Sequence, residues 1–310
     1  MSKNVAALWD AEVDDEGTKP FKKDHVNSTY EYFTELVADH DCDLFIARFD
    51  WYSKGMLEKA YRFDGNQWSR MENVHVDVVF DKYRFDEETI ELKREIEERH
   101  PVLNSFEVEQ ICKDKLLAYQ KFSDSHPETR TADRQNVEQM LEKYDKVVVK
   151  PLSAHAGEGV KVIDSISEFE EDNDSIVQQF IDSSTGIEKL GIEGIHDLRV
   201  VVVDSNPVLA YVRQPDSGYV ANVSLGGSME FVSIDEIPES AMKIVEQVAE
   251  SFEDQDNFVC GVDMIFDREN KPWILELNSK PGMSFYHDEE TKERKQPYLE
   301  AVAKSLASIT

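Results

Sequence analysis

An α/β (α+β) protein with unevenly interleaved strands and helices is predicted by three observations. Short apolar runs rich in valine, such as NVAALWD (4–10), KVVVKPL (146–152) and DLRVVVVD (197–204), have the length and composition of strands. Stretches such as 24–39 and 234–252 place apolar residues at helical spacing instead. The order of the two is β-rich and broken by helices, unlike the regular βαβ alternation of a doubly wound domain. With 310 residues there is room for two or three lobes.

In the first hundred residues, NVAALWD, DLFIARFD (43–50) and VDVVFDKY (76–83) read as strands. The segment YRFDGNQWSR (61–70) reads as a short hairpin or loop. FDEETIELKREIEERH (85–100) is a charged helix stopped by Pro101, and PVLNS is a short strand and turn. A second region opens with SFEVEQICKDKLLAYQKFSD (105–124), read as one helix with Ile111, Leu116 and Tyr119 among its apolar positions. VEQMLEKYD is another helix, followed by the strands KVVVKPL, VKVID and SIVQQFID, with a short helix near 167–171 before the last. A third region holds the strands DLRVVVVD, PVLAYVRQ and YVANVSL, the long helix 234–252, the strand pair FVCGVDMIFD and KPWILELN, and a last helix around 298–308.

Composition narrows the function. Hydrophobic content of 40% and aromatic content of 10% suit a globular protein, and no apolar run reaches the roughly 18–20 residues of a bilayer span. The first residues show no secretory pattern. Cys42, Cys112 and Cys260 are few, scattered and without metal-ligand spacing, the usage of reduced thiols in a cytoplasmic protein. The formal charge of −30 disfavours nucleic acid and anionic membranes as partners, and homo-oligomerisation stays open. The acids are spread along the whole chain, which suits either an ordinary acidic surface or work in a high-salt cytoplasm.

The strand pair carries the first candidate site. Residues alternate between the faces of a strand, so Ile274, Glu276 and Asn278 are expected to share one face. If Asp267 pairs with Pro272 across a hairpin, Asp263 falls opposite Glu276, with Cβ atoms about 5 Å apart. Two carboxylates that close repel unless a proton or cation lies between them. Oxygen donors without His or Cys suit a hard cation, most simply Mg²⁺, with Mn²⁺ as the alternative; a solvated acidic face is the competing reading. Lys150 closes a valine run just before the small-residue loop SAHAGEG (153–159). A lysine in that place needs an anionic partner or a route to water. The loop is neither a Walker loop nor a dinucleotide fingerprint. Arg199 and Arg213 sit in apolar strands in similar fashion, each structural alone, and together able to face one cleft.

From Pro101 to Gly282 these motifs, in this order, resemble the ATP-grasp superfamily, and most of all its carboxylate–amine ligases, glutathione synthetase and the ribosomal-protein glutamate ligases. The resemblance implies an ATP-grasp fold: an N-terminal pre-ATP-grasp α/β domain (1–104), a central lobe (105–182) and a C-terminal lobe (183–310), the two lobes clasping ATP. It implies that Lys115 and Lys150 hold the nucleotide's phosphates under a loop with Gly157 and Gly159. The hinge Gln178, Gln179, Phe180 and Ile181 would bind adenine. Asn222 is also implied to contact the cofactor. Arg199 and Arg213 would act on the transferred phosphoryl group, and Asp263, Glu276 and Asn278 would bind Mg²⁺. The expected activity joins a small-molecule carboxylate to an amine, an amino acid or peptide, through an acyl phosphate. An ATP-grasp small-molecule kinase and a non-catalytic nucleotide-binding module are the alternatives. The chain departs from the pattern at Gln179, where Glu is usual, at Val220, where Arg is frequent, at Lys280, where a small residue is common, and in the insertion 183–196. Lys280 is expected either to meet a substrate carboxylate or to neutralise the acidic cluster of Asp263 and Glu276.

If the acidic surface is a salt adaptation, the urea midpoint should rise between dilute buffer and molar KCl. An unchanged midpoint would mark the acidity as ordinary.

Overall fold

The computed structural model describes residues 2–152, 159–172, 174–216, 218, 227–255, 257–285 and 288–309. The chain opens with β1 (Lys3–Trp9), α1 (Asp24–Ala38), β2 (Cys42–Arg48), β3 (Tyr52–Ser53), β4 (Met56–Phe63), β5 (Trp68–His75), β6 (Val78–Asp81), α2 (Ile90–Glu97) and β7 (Val102–Leu103). These seven strands form one sheet in the order β3-β4-β2-β1-β6-β7, with β5 added on β4. β1 runs parallel to both β2 and β6, and β6 parallel to β7. The short hairpin expected at 61–70 is longer, with β4 and β5 paired from Met56–His75 to Phe63–Trp68. Val5, Ala6, Ala7 and Leu8 are all buried, because a central parallel strand is covered on both faces.

Next come α3 (Phe106–Lys113) and α4 (Lys115–Lys121), where one continuous helix was expected. Asp114 takes extended dihedrals (φ −85°, ψ 102°), and its carboxylate accepts from the Leu116 and Leu117 amides at 2.9 and 3.0 Å. It acts as an N-cap in the middle of an apolar pattern that reads straight through it. Ala118, rather than Leu116 or Tyr119, is the fully buried residue of α4.

A four-stranded antiparallel sheet follows, made of β8 (Thr129–Thr131), β9 (Val147–Pro151), β10 (Lys161–Ile163) and β11 (Ser175–Gln179), in the order β10-β9-β11-β8, with α5 (Arg134–Tyr144) packed on it. The helix expected near 167–171 is a single 3-10 turn at Ile166–Glu168. The last sheet holds β12 (Asp197–Val203), β13 (Asn206–Gln214), β14 (Ser228–Val232), β15 (Val259–Phe266) and β16 (Pro272–Asn278), in the order β14-β13-β12-β15-β16. α6 (Glu239–Glu250) and α7 (Glu289–Ser308) complete the chain. α6 begins after Pro238 rather than at 234, and α7 starts nine residues before the expected position. The expected strand YVANVSL lies outside the described residues.

The all-buried run of β12 serves two cores. Leu198, Val200 and Val202 join α3, α4 and α6 in one cluster, while Val201 and Val203 join α7 and the first sheet in another. Between the first sheet and the last lies a buried polar hub. Lys93 and Asp81, both with fully buried side chains, pair at 2.8 Å, and Lys93 also donates to the Asn104 carbonyl. The Asn104 amide donates to the carbonyls of Val259 and Ser279, each at 2.8 Å, and its oxygen accepts from the Val259 amide at 2.6 Å. Lys280 reaches the other Asp81 oxygen at 2.9 Å and Glu109 at 3.2 Å. Burial alone would raise the Asp81 pKa, and the two lysines turn this into a net lowering. Among the described residues, no helix is long and apolar enough to cross a membrane.

Removing one member of such a hub leaves a buried charge under-compensated. Lys93→Met should therefore cost about 3 kcal/mol, read as a lower urea midpoint; an unaltered midpoint would mean the hub contributes nothing to stability.

Candidate active site

A single cleft is lined from four directions: by the segment after β6, by α3 and α4, by the ends of β9 and β11, and by the edge strand β16. It brings together Lys115, Lys150, Gln178, Glu276 and Asn278, five of the residues singled out in the sequence. Lys115 is the first residue of α4, and its amine donates to the carbonyls of Pro151 and Leu152 at 3.1 and 3.0 Å. That contact ties α4 to the end of β9, where the glycine loop departs. Lys150 donates to the Gln178 side chain at 2.6 Å, so its present partner is a neutral amide, neither the anion nor the water that the sequence offered as alternatives. Gln178 is buried and donates in turn to Thr129 at 3.0 Å.

Burial lowers the pKa of Lys115, with Glu276 opposing. Burial also pushes Lys150 down to about 8, against the pull of Glu276 and with the help of Lys115. Both amines are thus cations short of an anion, the condition a phosphate relieves. Gln179 ends β11 and Phe180 and Ile181 follow it, and none of the three lines the cleft. The Gln179 amide already donates to the Glu128 carbonyl at 2.8 Å. Gly159 has φ +72°, and a Cβ there would come within 2.8 Å of Pro151, so glycine is required. Gly157, His155 and Asn222 lie outside the described residues.

Asp263 does face Glu276, as expected, but by a different register. The hairpin closes on Phe266 and Pro272, and an irregularity at Leu275 restores the pairing of Asp263 with Glu276 and of Gly261 with Asn278. Asp267 belongs to the turn, where one oxygen accepts from the Glu269 and Lys271 amides and the other from the Trp273 indole, all at 2.9 Å. The bulge corrects a second expectation. Ile274 does not share the face of Glu276; it is buried with Leu277 in the core beneath the sheet.

One row of paired residues runs across four strands: Tyr211, Arg199, Asp263 and Glu276. Arg199 forks onto both Asp263 oxygens, and Arg213 bridges Asp263 at 2.8 Å and Asp197. The neighbours of Asp263 are therefore guanidinium groups, and the two arginines converge on this carboxylate instead of lining the cleft. Burial would depress both arginines, and Asp263 more than reverses it. Burial, with the Asp263 charge, raises Asp197 to about 7. Asp197 Oδ1 and Arg213 Nε are buried without a hydrogen-bond partner among the described residues. Glu276, by contrast, is exposed and forms no ion pair among the described residues.

Asp263, Glu276 and Asn278 offer only hard oxygen donors, which fits Mg²⁺. The Asp263 oxygens accept from arginine, yet a carboxylate has about four lone-pair sites. Among the described residues no three His, Cys, Asp or Glu side chains gather into a metal cluster, so the candidate set is two carboxylates and an amide.

Sequence reading missed Lys82, Glu109, Lys113 and His126, which also line the cleft. Lys82 was findable, since it follows the apolar run VDVVFD as Lys150 follows VVV. Lys280 pairs with Asp81 and Glu109, and not with the Asp263–Glu276 cluster it was expected to neutralise. Cys42, Cys112 and Cys260 are free thiols, with Cys112 and Cys260 in contact at 3.8 Å.

This three-sheet architecture, with two lysines and a carboxylate–amide edge strand around one cleft, defines a nucleotide-clasping class of fold. A RimK-like ATP-grasp domain is matched over residues 110–295, and the chain belongs to that family. The tetrahydromethanopterin:alpha-L-glutamate ligase of Methanocaldococcus jannaschii is 27% identical over 171 residues, covering 50% of this chain and 54% of that protein, so the chain spans about half the length of this curated relative. The D-alanyl-alanine synthetase A of Vibrio cholerae O1 biovar eltor superposes with a TM-score of 0.62 at 13% identity, over 99% of this chain and 100% of the other. The ATP-grasp ligase PsnB, complexed with minimal precursor, Mg and ADP, superposes with a TM-score of 0.58 at 12% identity, over 97% of each chain. These two likenesses concern the fold.

His126 supplies a pH test of the cleft wall. Its Nδ1 donates to the Pro127 carbonyl at 3.0 Å, and burial, with Lys150 nearby, pushes its pKa down to about 4. Between about pH 6.5 and 4 the unfolded chain takes up a proton that the folded one refuses, so stability falls as pH drops. His126→Gln should lose roughly 2–3 kcal/mol less than the native chain between pH 7 and 4.5, by urea titration at each pH. Equal losses would show that His126 is not held neutral.

Proposed function

We propose that the chain is an ATP-dependent ligase that joins a carboxylate to an amine, an amino acid or peptide, through an acyl phosphate. The observation that carries this reading is the cleft's charge. In a chain of net charge −30, six basic side chains and two acidic ones line it, with Lys115, Lys150 and Glu276 together. Such a cleft fits a polyanion that brings its own cation. The activities of the similar proteins, a glutamate ligase and a D-alanyl-alanine synthetase, favour amide formation over a kinase that stops at phosphorylation. Division of labour follows three parts, an N-terminal domain (1–104), a central lobe (105–182) and a C-terminal lobe (183–310).

In this reading Lys115 and Lys150 hold ATP phosphates, and Gln178 fixes the direction of Lys150. The backbone of Gln179, Phe180 and Ile181 faces the adenine. Asp263, Glu276 and Asn278 hold Mg²⁺, or Mn²⁺ in its place; Mg²⁺ bound there neutralises phosphate charge. Arg199 and Arg213, fixed by Asp263 and Asp197, supply positive charge where the phosphoryl group moves. The substrate carboxylate attacks the γ-phosphorus and ADP leaves. The amine then attacks the acyl carbon, loses a proton, and expels inorganic phosphate. No side-chain nucleophile is required.

The test is release of ADP and phosphate from Mg·ATP across a panel of amino acids and peptides, with mass analysis of the products. Condensed product is expected; phosphorylated product without condensation would make the chain a kinase, and tight ATP binding without turnover a binding module. Glu276→Gln should lower turnover by about 10²–10³-fold with an unchanged melting curve, since Glu276 is exposed. Near-normal turnover would remove Glu276 from the site.

A further inference from the structure

Two of the three thiols touch. Cys112 Sγ lies 3.8 Å from Cys260 Sγ, although 148 residues separate them in the chain. Cys42 sits apart, in β2 of the first sheet. The sulfurs of a disulfide are about 2.05 Å apart, so closure asks for roughly 1.8 Å of approach. The two thiols differ in access. Cys260 is fully buried in β15, whereas Cys112, in the last turn of α3, is partly exposed and lines the cleft. Contact with Cys260, and burial, hold the Cys112 thiol well above its ordinary pKa. It therefore reacts slowly, and the pair stays reduced until oxidant is in excess.

The two sides also differ in freedom. β15 is an inner strand paired with β12 and β16, and Asn104 holds both the amide and the carbonyl of Val259, next to Cys260. α3 ends one residue after Cys112, and the helical run breaks at Asp114. The approach therefore falls to the end of α3. That end leads through the Asp114 cap to Lys115, whose amine ties α4 to the Pro151 and Leu152 carbonyls.

We propose that Cys112 and Cys260 form a peroxide-sensitive dithiol switch, whose disulfide draws the end of α3 toward β15 and weakens nucleotide binding through Lys115. The weakening rests on the assignment of Lys115 to the nucleotide; formation of the disulfide does not. Cys112, at the cleft, attacks one oxygen of the peroxide. The O–O bond breaks, a sulfenic acid forms and water leaves. Cys260 then attacks the sulfenic sulfur; the S–S bond forms, and the expelled hydroxide takes the Cys260 proton as a second water. The two sulfurs lose one electron each, and the peroxide takes both. An added dithiol reverses the step by exchange.

The experiment treats the full chain, reduced and freed of reductant, with hydrogen peroxide at pH 8. Residual thiols are alkylated and the protein is mapped by mass. A linked Cys112–Cys260 peptide is expected, with Cys42 alkylated. By calorimetry, the oxidised chain should bind Mg·ADP about tenfold more weakly than the reduced one, and dithiothreitol should restore the affinity. By linkage, saturating Mg·ADP should raise the midpoint potential of the pair by about 30 mV, the equivalent of tenfold for a two-electron couple. Cys260→Ala should bind Mg·ADP within about twofold of the native chain. After peroxide it should give a dimedone-trapped sulfenic acid at Cys112 and no linked peptide. If Cys260→Ala melts early, Cys112→Ala, at the cleft wall, serves in its place and should likewise give no linked peptide and no loss of affinity with peroxide. The switch is overturned if the native chain gives no linked peptide, or if the linked chain binds Mg·ADP as the reduced one does. A reduced chain that fails to bind Mg·ADP sinks the nucleotide reading and the switch with it; a linked chain of unchanged affinity sinks the switch alone.

Discussion

The carboxylate of Asp81 holds the cleft together. It lies at the end of a parallel strand, is wholly buried, and is shared by Lys93 from α2 and Lys280 from beyond β16. A buried carboxylate with one oxygen unpaired is costly, so each lysine is held by what the other leaves unsatisfied. Lys280 cannot reach Asp81 unless the end of β16 comes to the first sheet, and Asn104 fixes the same approach through Val259 and Ser279. Glu109, bound to both Lys280 and Ser279, brings α3 into the arrangement. The walls of the cleft are therefore set by ionic geometry more than by apolar contact.

Behind the cleft the last sheet uses its register for the same end. Arg199, Asp263 and Glu276 occupy one row across three strands, so an ion pair is followed by a second carboxylate on the edge strand. The first two satisfy each other and are buried. The third, at the edge, is not satisfied and is exposed. An edge strand leaves one side of the row open, and the bulge at Leu275 turns Glu276 toward that opening while Ile274 and Leu277 stay in the core. A buried pair thus serves as a rigid backing for an exposed carboxylate.

Much of this was legible in the sequence, and the exceptions have particular causes. Valine runs announced the strands because burial on two faces leaves no alternation to disguise them, as in β12. The facing of Asp263 and Glu276 was read correctly from a register that is wrong by one at the turn. Asp267 looked like a strand residue but spends both oxygens capping the loop, and the bulge restored the count. The break at Asp114 was hidden because a capping carboxylate leaves no mark on apolar periodicity. Lys280 was unreadable for another reason: its partner Asp81 lies 199 residues away, and nothing local to either residue names the other.

The net charge and the cleft pull in opposite directions, and distance decides between them. At physiological ionic strength the Debye length is about 8 Å, so the acidic surface repels an approaching anion only from nearby and is largely screened beyond that. Inside the cleft, lysines with lowered pKa values act across a few ångströms of poorly screened space. Added salt therefore weakens the repulsion outside more than the attraction within. A nucleotide meets a barrier that salt removes and a site that salt largely spares, the reverse of a protein whose whole surface attracts anions. An acidic exterior is compatible with anionic substrates for this reason, provided that the cationic groups are few, partly buried and left without carboxylates of their own. Lys82, Lys115 and Lys150 meet that condition.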